Sequence, residues 1–198
     1  MNLDRSTNPL IKKALWSNVV GGVMQLCRDC RSEKGIISES IFYDYYKDNQ
    51  GVDGLNKSYE MIMEGMYKEY PESSLEEKKD TARKWIYKRV IKDTVVGFEW
   101  EMRVKNFMKK KGFEMTYAND DVDKLYSVDL EGEDFAIQVK PITYKMGSNA
   151  GLMADKKMNI EKNEMYEKYF NKKVYLVYYL LDKPEIILGD LTTIVDNK

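Results

Sequence analysis

Apolar residues recur at helical spacing through the first half of the chain. Because one face of a helix returns about every 3.6 residues, this spacing predicts a series of amphipathic helices. They cover residues 8–30, 36–47 and 55–67, and a fourth begins near residue 75. The start of the fourth helix is marked by two overlapping capping boxes, either Ser73 with Glu76 or Ser74 with Glu77.

In the second half of the chain, helical spacing alternates with strand-like runs. The pattern predicts a helix over 98–111, a short strand at 114–117, a helix over 153–170, and strands at 174–181 and 186–188. Gly97 interrupts the helical pattern, so we expect a bend or helix junction at 94–97. The predicted fold class is α/β (α+β). A helical N-terminal lobe at 1–93 joins, without a linker, a core at 94–198 whose central mixed sheet is flanked by helices.

The stretch 126–140 has the pattern of a β-hairpin with polar residues near one end. In its second strand, apolar residues alternate with Gln138 and Lys140, so these two side chains lie on one face. In its first strand Asp129 stands between two apolar residues, and the polar turn at 131–134 folds it back towards Gln138. Three polar side chains are therefore expected to meet at one edge of the sheet.

A fourth polar residue, Glu101, is predicted on the core-facing side of the helix at 98–111. At about 100° per residue Glu101 falls on the same side as Val104, whereas Glu99 points towards solvent. Burying a carboxylate costs free energy unless it is paired or holds a metal ion. Glu101 is therefore a candidate site residue, and the alternative is a structural pair with Lys105.

Composition narrows the possible chemistry. The 198 residues include no histidine, which removes serine–histidine triads, histidine–zinc sites and nucleases with an imidazole base. The net charge of −1 gives no global basic footprint, although a cleft can still be basic locally. No apolar run approaches the roughly 18 residues of a membrane span, and the first residues resemble neither a signal nor a transit peptide. A cytoplasmic protein is expected.

Other features of the sequence have both a structural and a functional explanation. The lysine runs at 109–111, 156–157 and 172–173 could line a DNA cleft, but each is better explained as a solvated face. The tyrosines within 42–46 could contact a DNA backbone, but half-buried core aromatics are the better interpretation. The acidic stretch 119–124 lacks the spacing of a calcium loop and is interpreted as a solvated loop. Cys27 and Cys30 are interpreted as reduced, structural thiols.

The polar residues that are expected to converge suit the hydrolysis of a phosphodiester. Carboxylates from two different elements, Glu101 and Asp129, suit Mg²⁺, which takes oxygen ligands and keeps several waters. Gln138 would add an amide oxygen as a third ligand. Lys140 would reach the attacking water or a non-bridging phosphate oxygen and balance the charge that develops in the transition state. These four are the predicted catalytic residues.

This arrangement resembles the PD-(D/E)XK nuclease superfamily. The motif residues are Glu101, Asp129 and Gln138-Val-Lys140, and the segment 97–141 is similar to Mrr-like members. Closer still is the resemblance to type II restriction endonucleases of the MjaI kind, carried by 90–94, Gly97 and Glu101, 127–129 and 140–145. The resemblance implies a PD-(D/E)XK-like catalytic core at 94–198 and a homodimer that cuts a short palindromic site in double-stranded DNA with Mg²⁺. This sequence departs from the motif at two positions. Val128 stands where the P of the motif name denotes proline, and Gln138 replaces an acid.

The sequence therefore predicts a Mg²⁺-dependent restriction endonuclease, with a cognate DNA methyltransferase as an expected partner. The helical lobe at 1–93 would serve DNA binding or dimerisation. The polar loop after the catalytic strand supplies the candidate DNA contacts, which are Tyr144, Lys145, Ser148 and Asn149. Two alternatives stay open: a structure-specific or modification-dependent nuclease, and a DNA-binding module whose nuclease-like half is inert.

Overall fold

The computed structural model describes residues 22–50, 53–148, 150–180, 183 and 185–196. The chain divides into two compact units, Met1–Phe98 and Glu99–Lys198. None of the helices in the described part of the chain is both long and apolar enough to cross a membrane.

The first unit is helical, as predicted. Its elements are α1 (Val23–Lys34), α2 (Glu39–Gln50), α3 (Asp53–Glu69), α4 (Leu75–Ile86), a π-helical segment (Tyr87–Lys92) and the start of α5 (Asp93–Lys110). These helices confirm the predictions at 36–47, at 55–67 and from residue 75. Of the helix predicted at 8–30, residues 8–21 lie outside the described residues.

The capping box of α4 uses the second of the two predicted pairs. The Glu77 N–H donates to Ser74 Oγ at 3.2 Å, and the Ser74 N–H donates to Glu77 Oε2 at 3.1 Å. Two donors that the first turn of a helix leaves unpaired are thereby satisfied.

The predicted break at 94–97 is wrong. The helical hydrogen bonding changes earlier, in the π-helical segment, and Gly97 lies inside α5. A side chain at Gly97 would bring its Cβ within 3.3 Å of Met24 Cε, so the glycine permits close packing. The interruption in the hydrophobic pattern therefore reflects a packing contact, and the helix continues through it.

The aromatic cluster and the cysteines of the first unit belong to its core. Phe42 and Tyr46 are almost completely buried, with ring centroids 6.2 Å apart. Tyr45 is buried too, and its hydroxyl donates to Glu33 Oε1 at 2.8 Å. Cys27 and Cys30 are fully buried free thiols, and burial raises the pKa of Cys30. The structural interpretations of both features are confirmed.

The second unit is built on a five-stranded mixed sheet, which confirms the predicted mixed sheet and the order of helix, strands, helix and strands. The strands are β1 (Met115–Tyr117), β2 (Leu130–Gly132), β3 (Phe135–Pro141), β4 (Lys173–Tyr179) and β5 (Ile186–Ile187). They lie side by side in chain order, with β3 and β4 parallel and the other neighbouring pairs antiparallel. The helices are α6 (Asp120–Tyr126), α7 (Ile142–Met146), α8 (Ala150–Phe170) and α9 (Thr192–Asp196), with a 3₁₀ turn at Gly189–Leu191.

Helices cover both faces of this sheet. On one face, Tyr166 of α8 packs in a buried cluster with Ala136 of β3. On the other, Trp100 of α5 stacks on Tyr179 of β4, with ring centroids 4.7 Å apart. Because strand residues alternate between faces, Gln138 shares the α8 face with Ala136.

Two segments predicted as loops are helical. The acidic stretch at 119–124 forms most of α6, because Asn119 caps the helix by accepting the Val122 N–H at 2.9 Å. Acidic residues in the first turn of α6 are favourable beside the positive end of the helix dipole. The polar loop predicted after β3 contains α7, and α8 begins at Ala150.

Replacing Ser74 with alanine is expected to lower the free energy of unfolding by about 1 kcal/mol, because the first turn of α4 loses its cap. Ser73→Ala is the matched control, with an expected change within about 0.5 kcal/mol. Urea denaturation followed by circular dichroism measures both. Equal losses in the two variants would contradict the assignment of the cap to Ser74.

Candidate active site

Just before β2 begins, the backbone of Asp129 is hydrogen-bonded to β3 on one side and to the residue after β1 on the other. Its N–H donates to the Ile137 carbonyl at 3.0 Å, and its carbonyl accepts the Ala118 N–H at 3.0 Å. Leu130 pairs with Ile137, and the Asp129 N–H bonds to the same residue, so Asp129 is offset by one residue from the regular register of β2 and β3. These bonds hold Asp129 against β3, and its meeting with Gln138 stays a prediction.

The carboxylate of Asp129 is fixed against β3. Its Oδ2 accepts the Val139 N–H at 2.6 Å, and the residue is only 7% exposed. A short bond to a charged acceptor is stronger than a neutral one. Since a carboxylate has about four lone-pair sites, this bond orients the group without using up its capacity to bind a cation.

Gln138 is fully buried beneath α8, where its side chain meets an asparagine. Its Oε1 accepts a hydrogen bond from Asn163 Nδ2 at 3.2 Å. Among the residues that the structure describes, neither Gln138 Nε2 nor Asn163 Oδ1 has a hydrogen-bond partner. A carbonyl oxygen has two lone pairs, so Asn163 uses half of what Gln138 can offer as an acceptor.

Lys140 lies two residues after Gln138 on the same face of β3. It is partly exposed at the carboxyl end of the strand. Among the described residues, its ammonium group makes no ion pair or hydrogen bond. The ammonium group is therefore available to an anion that reaches this end of the sheet.

Glu101 is buried, with 3% of its surface exposed, which confirms the inward direction predicted from helical geometry. It lies on α5, the helix over the opposite face of the sheet from Gln138. The ammonium group of Lys105, the alternative partner, lies 4.3 Å from the centre of the Tyr117 ring. A cation that contacts both Glu101 and Gln138 would have to lie at the end of the strands, where the two faces meet.

The candidate DNA contacts lie just beyond this strand end. Tyr144 and Lys145 belong to α7, and Ser148 is exposed after it. The Lys145 ammonium lies 5.4 Å from the centre of the Tyr178 ring. Asn149 lies outside the described residues. The loop was predicted as irregular, but α7 gives Tyr144 and Lys145 fixed positions.

The donor set determines which metal site is chemically possible. Within the described part of the chain, no cluster of three or more His, Cys, Asp or Glu residues could hold a metal ion. A site here would therefore use two carboxylates, from Asp129 and Glu101, with amide, water or substrate oxygens. Mg²⁺ accepts such a mixed oxygen shell and commonly keeps several waters.

Asn163 is the residue near the site that the sequence prediction missed. Asn159, Asn163 and Tyr166 are spaced four and three residues apart, so they form one stripe along α8. This polar stripe, which ends at Tyr166, was the feature of the sequence from which Asn163 could have been identified.

Comparison with protein families gives a match that covers most of the chain. The family described as MjaI restriction endonuclease matches residues 11–187. Comparisons with curated proteins and with solved structures give no significant match. The matched range includes every strand of the sheet and each of the candidate site residues.

Replacing Asp129 with alanine is expected to lower the free energy of unfolding by about 1–3 kcal/mol, because the buried Val139 N–H loses its acceptor. Asp129→Asn keeps a side-chain oxygen and should lose less. Urea denaturation of both variants tests this, with exposed Asp134→Ala as the control in the same hairpin. If alanine at residue 129 is as stable as wild type, the bond to Val139 does not hold the hairpin.

Proposed function

Because the chain belongs to the MjaI restriction endonuclease family, we propose that it is a Mg²⁺-dependent type II restriction endonuclease. It would hydrolyse phosphodiester bonds in double-stranded DNA at a short palindromic site. The observation that carries this proposal is the hydrogen bond between the buried Asp129 carboxylate and the Val139 N–H, on the strand segment that bears Gln138 and Lys140.

The proposed catalytic core is of the PD-(D/E)XK kind. Support comes from a mixed sheet with helices on both faces and from the position of the motif residues on β3 and just before β2. The motif needs an acid and a lysine that are held close together in space although they come from separate strands. The hydrogen bonds of Asp129 to Ile137 and Val139, which hold the acid against the strand that bears Lys140, support this assignment.

The proposed cation ligands are Asp129, Glu101 and Gln138. Asp129 would contribute the carboxylate lone pairs that its bond to Val139 leaves, and Gln138 the lone pair that Asn163 does not use. Bound Mg²⁺ would polarise the phosphate and lower the pKa of an attacking water. The glutamine supplies no charge where the motif has an acid, so only two protein carboxylates would balance the cation.

Lys140 is proposed to stabilise the negative charge that develops on the phosphate. Its position two residues after Gln138, partly exposed near the carboxyl end of β3, supports this role. An ammonium group beside the reacting phosphate stabilises charge more strongly there than in water, since the surrounding protein screens charge poorly.

A palindromic duplex is two-fold symmetric, and a homodimer could place one site on each strand. The helical lobe at 1–93 is proposed to serve DNA binding or dimerisation. A DNA methyltransferase that modifies the same sequence would protect the host DNA, which is expected to meet this enzyme in the cytoplasm.

Lys140→Ala is expected to slow cleavage of a supercoiled plasmid by about 100-fold or more, because one charge-stabilising group is lost. The assay is gel electrophoresis of plasmid incubated with purified protein and Mg²⁺. Lys109→Ala is the matched control, because Lys109 is exposed and pairs only loosely with Glu114, at 3.8 Å.

The form of the digest separates this proposal from other functions. Discrete fragments from unmodified DNA support a restriction enzyme, and mapping their ends identifies the site. Cutting only of branched or methylated DNA would instead indicate a structure-specific or modification-dependent nuclease. Plasmid binding without any cutting, unchanged in Lys140→Ala, would indicate an inert DNA-binding module.

Removal of divalent metal with EDTA is expected to abolish cleavage, and added Mg²⁺ should restore it, because the two carboxylates alone cannot activate water. Isothermal titration of Mg²⁺ should show weaker binding in Asp129→Asn, which removes one of the two ligand charges. Cleavage that persists in EDTA after exhaustive dialysis would overturn the metal-dependent mechanism.

A further inference from the structure

A pocket of about 170 Å³ lies beside the candidate active site, between α7, α8 and the strands β3 and β4. Gln138 and Asn163 stand among its lining residues, whereas Asp129, Glu101 and Lys140 do not line it. The proposed hydrolysis uses Gln138 but gives the space inside this pocket no role.

The pocket is lined by two buried polar atoms that have no hydrogen-bond partner in the described part of the chain. Gln138 is fully buried and Asn163 is 7% exposed, and the two amides are joined by one hydrogen bond. That bond leaves Gln138 Nε2 as an unpaired donor and Asn163 Oδ1 as an unpaired acceptor. Turning both amides over would exchange these roles and still leave one donor and one acceptor. Buried polar groups are normally paired, so two such atoms at one pocket point to a ligand.

The walls of the pocket are mainly apolar and aromatic. They include the rings of Tyr144 and Tyr178 and the side chains of Ile160 and Leu176. Asn159 Nδ2 donates to the Tyr144 hydroxyl at 2.9 Å, which fixes that ring. Apolar walls with a few placed polar groups are typical of sites for small organic groups.

Two lysines close the outer part of the pocket. The Lys156 ammonium donates to the carbonyls of Lys145 and Gly147, at 3.0 and 2.7 Å, and so ties α8 to α7 and the residue after it. Lys145 lies over the Tyr178 ring. Burial, with Tyr144 and Asp190 nearby, raises the pKa of Tyr178, so its hydroxyl remains a donor. Among the described lining residues none is acidic.

The size and polarity of the pocket decide whether a phosphate or a nucleobase of a DNA strand suits it better. The volume is below the roughly 300–1,000 Å³ of pockets for drug-sized ligands, so it suits one small ring system or one phosphate. A phosphate offers only acceptors and negative charge, and it would be repelled by Asn163 Oδ1. A nucleobase carries donors and acceptors side by side on one edge, and its faces pack well between aromatic and apolar side chains.

We propose that this pocket receives one nucleobase turned out of the bound DNA, read by the amides of Gln138 and Asn163. That the base comes from double-stranded DNA rests on the proposed function. Lys145 and Lys156 at the outer part of the pocket are placed to meet the backbone of the same nucleotide. The proposal gives the non-acidic residue at position 138 a function that glutamate could not perform, because a carboxylate has no donor.

Saturation-transfer NMR of the full-length protein in metal-free buffer tests the proposal, with each of the four deoxynucleosides and, separately, inorganic phosphate as probes. Saturation should reach the base protons of at least one nucleoside. Asn163→Leu should weaken that binding about tenfold, because it removes the paired amide at nearly constant size. Ile160→Trp should weaken it as well by filling the pocket from its exposed rim.

Asn106→Leu is the matched control, because Asn106 is exposed on α5 and does not line the pocket; binding should be unchanged. The proposal is overturned if no nucleoside binds to folded wild-type protein, if only phosphate binds, or if Ile160→Trp has no effect. The assay needs neither metal nor cleavage. Its failure would leave the plasmid digest unaffected, and an inactive but nucleoside-binding protein would count against the nuclease proposal alone.

Discussion

The candidate active site depends on the register between β2 and β3. Asp129 is hydrogen-bonded through its N–H to Ile137, through its carbonyl to Ala118 and through its carboxylate to Val139. A slip of one residue would reverse every side chain of β3, so Gln138 and Lys140 would leave the α8 face. Buried pairing of Leu130 with Ile137 prevents that slip, because the apolar set would then lie on the wrong side.

Much of this hairpin was predictable from sequence, because strand alternation and a polar turn are local signals. The burial of Glu101 followed from helical geometry in the same way. The π-helical segment at 87–92 was not predictable, since a change from one hydrogen-bonding pattern to another leaves apolar spacing almost unaltered. The helix at 120–126 was missed because a run of aspartates suggests a loop unless the Asn119 cap is recognised.

The contacts across the sheet lay beyond the reach of sequence patterns. Asn163 follows Gln138 by 25 positions, and nothing local indicates that the two amides meet. The same is true of Trp100 and Tyr179, whose stacking places α5 on the opposite face from α8. Both contacts depend on the parallel pairing of β3 with β4. The chain must cross over the sheet to connect two parallel strands, and α8 lies in that connection. Gln138 is therefore the residue that the two proposals share, because it lines the pocket and is one of the proposed cation ligands.

This crossover has a consequence for the order in which the chain folds. The β2–β3 hairpin closes a short loop, and such contacts form in about 1–10 microseconds. The β3–β4 pair closes a loop that contains α7 and α8, and contacts between residues far apart in sequence form more slowly. We expect Asp129 and Lys140 to come together early on the folding pathway. The aromatic walls around Gln138 would assemble only in a later, rate-limiting step, so an intermediate would expose β4 and its tyrosines to other chains.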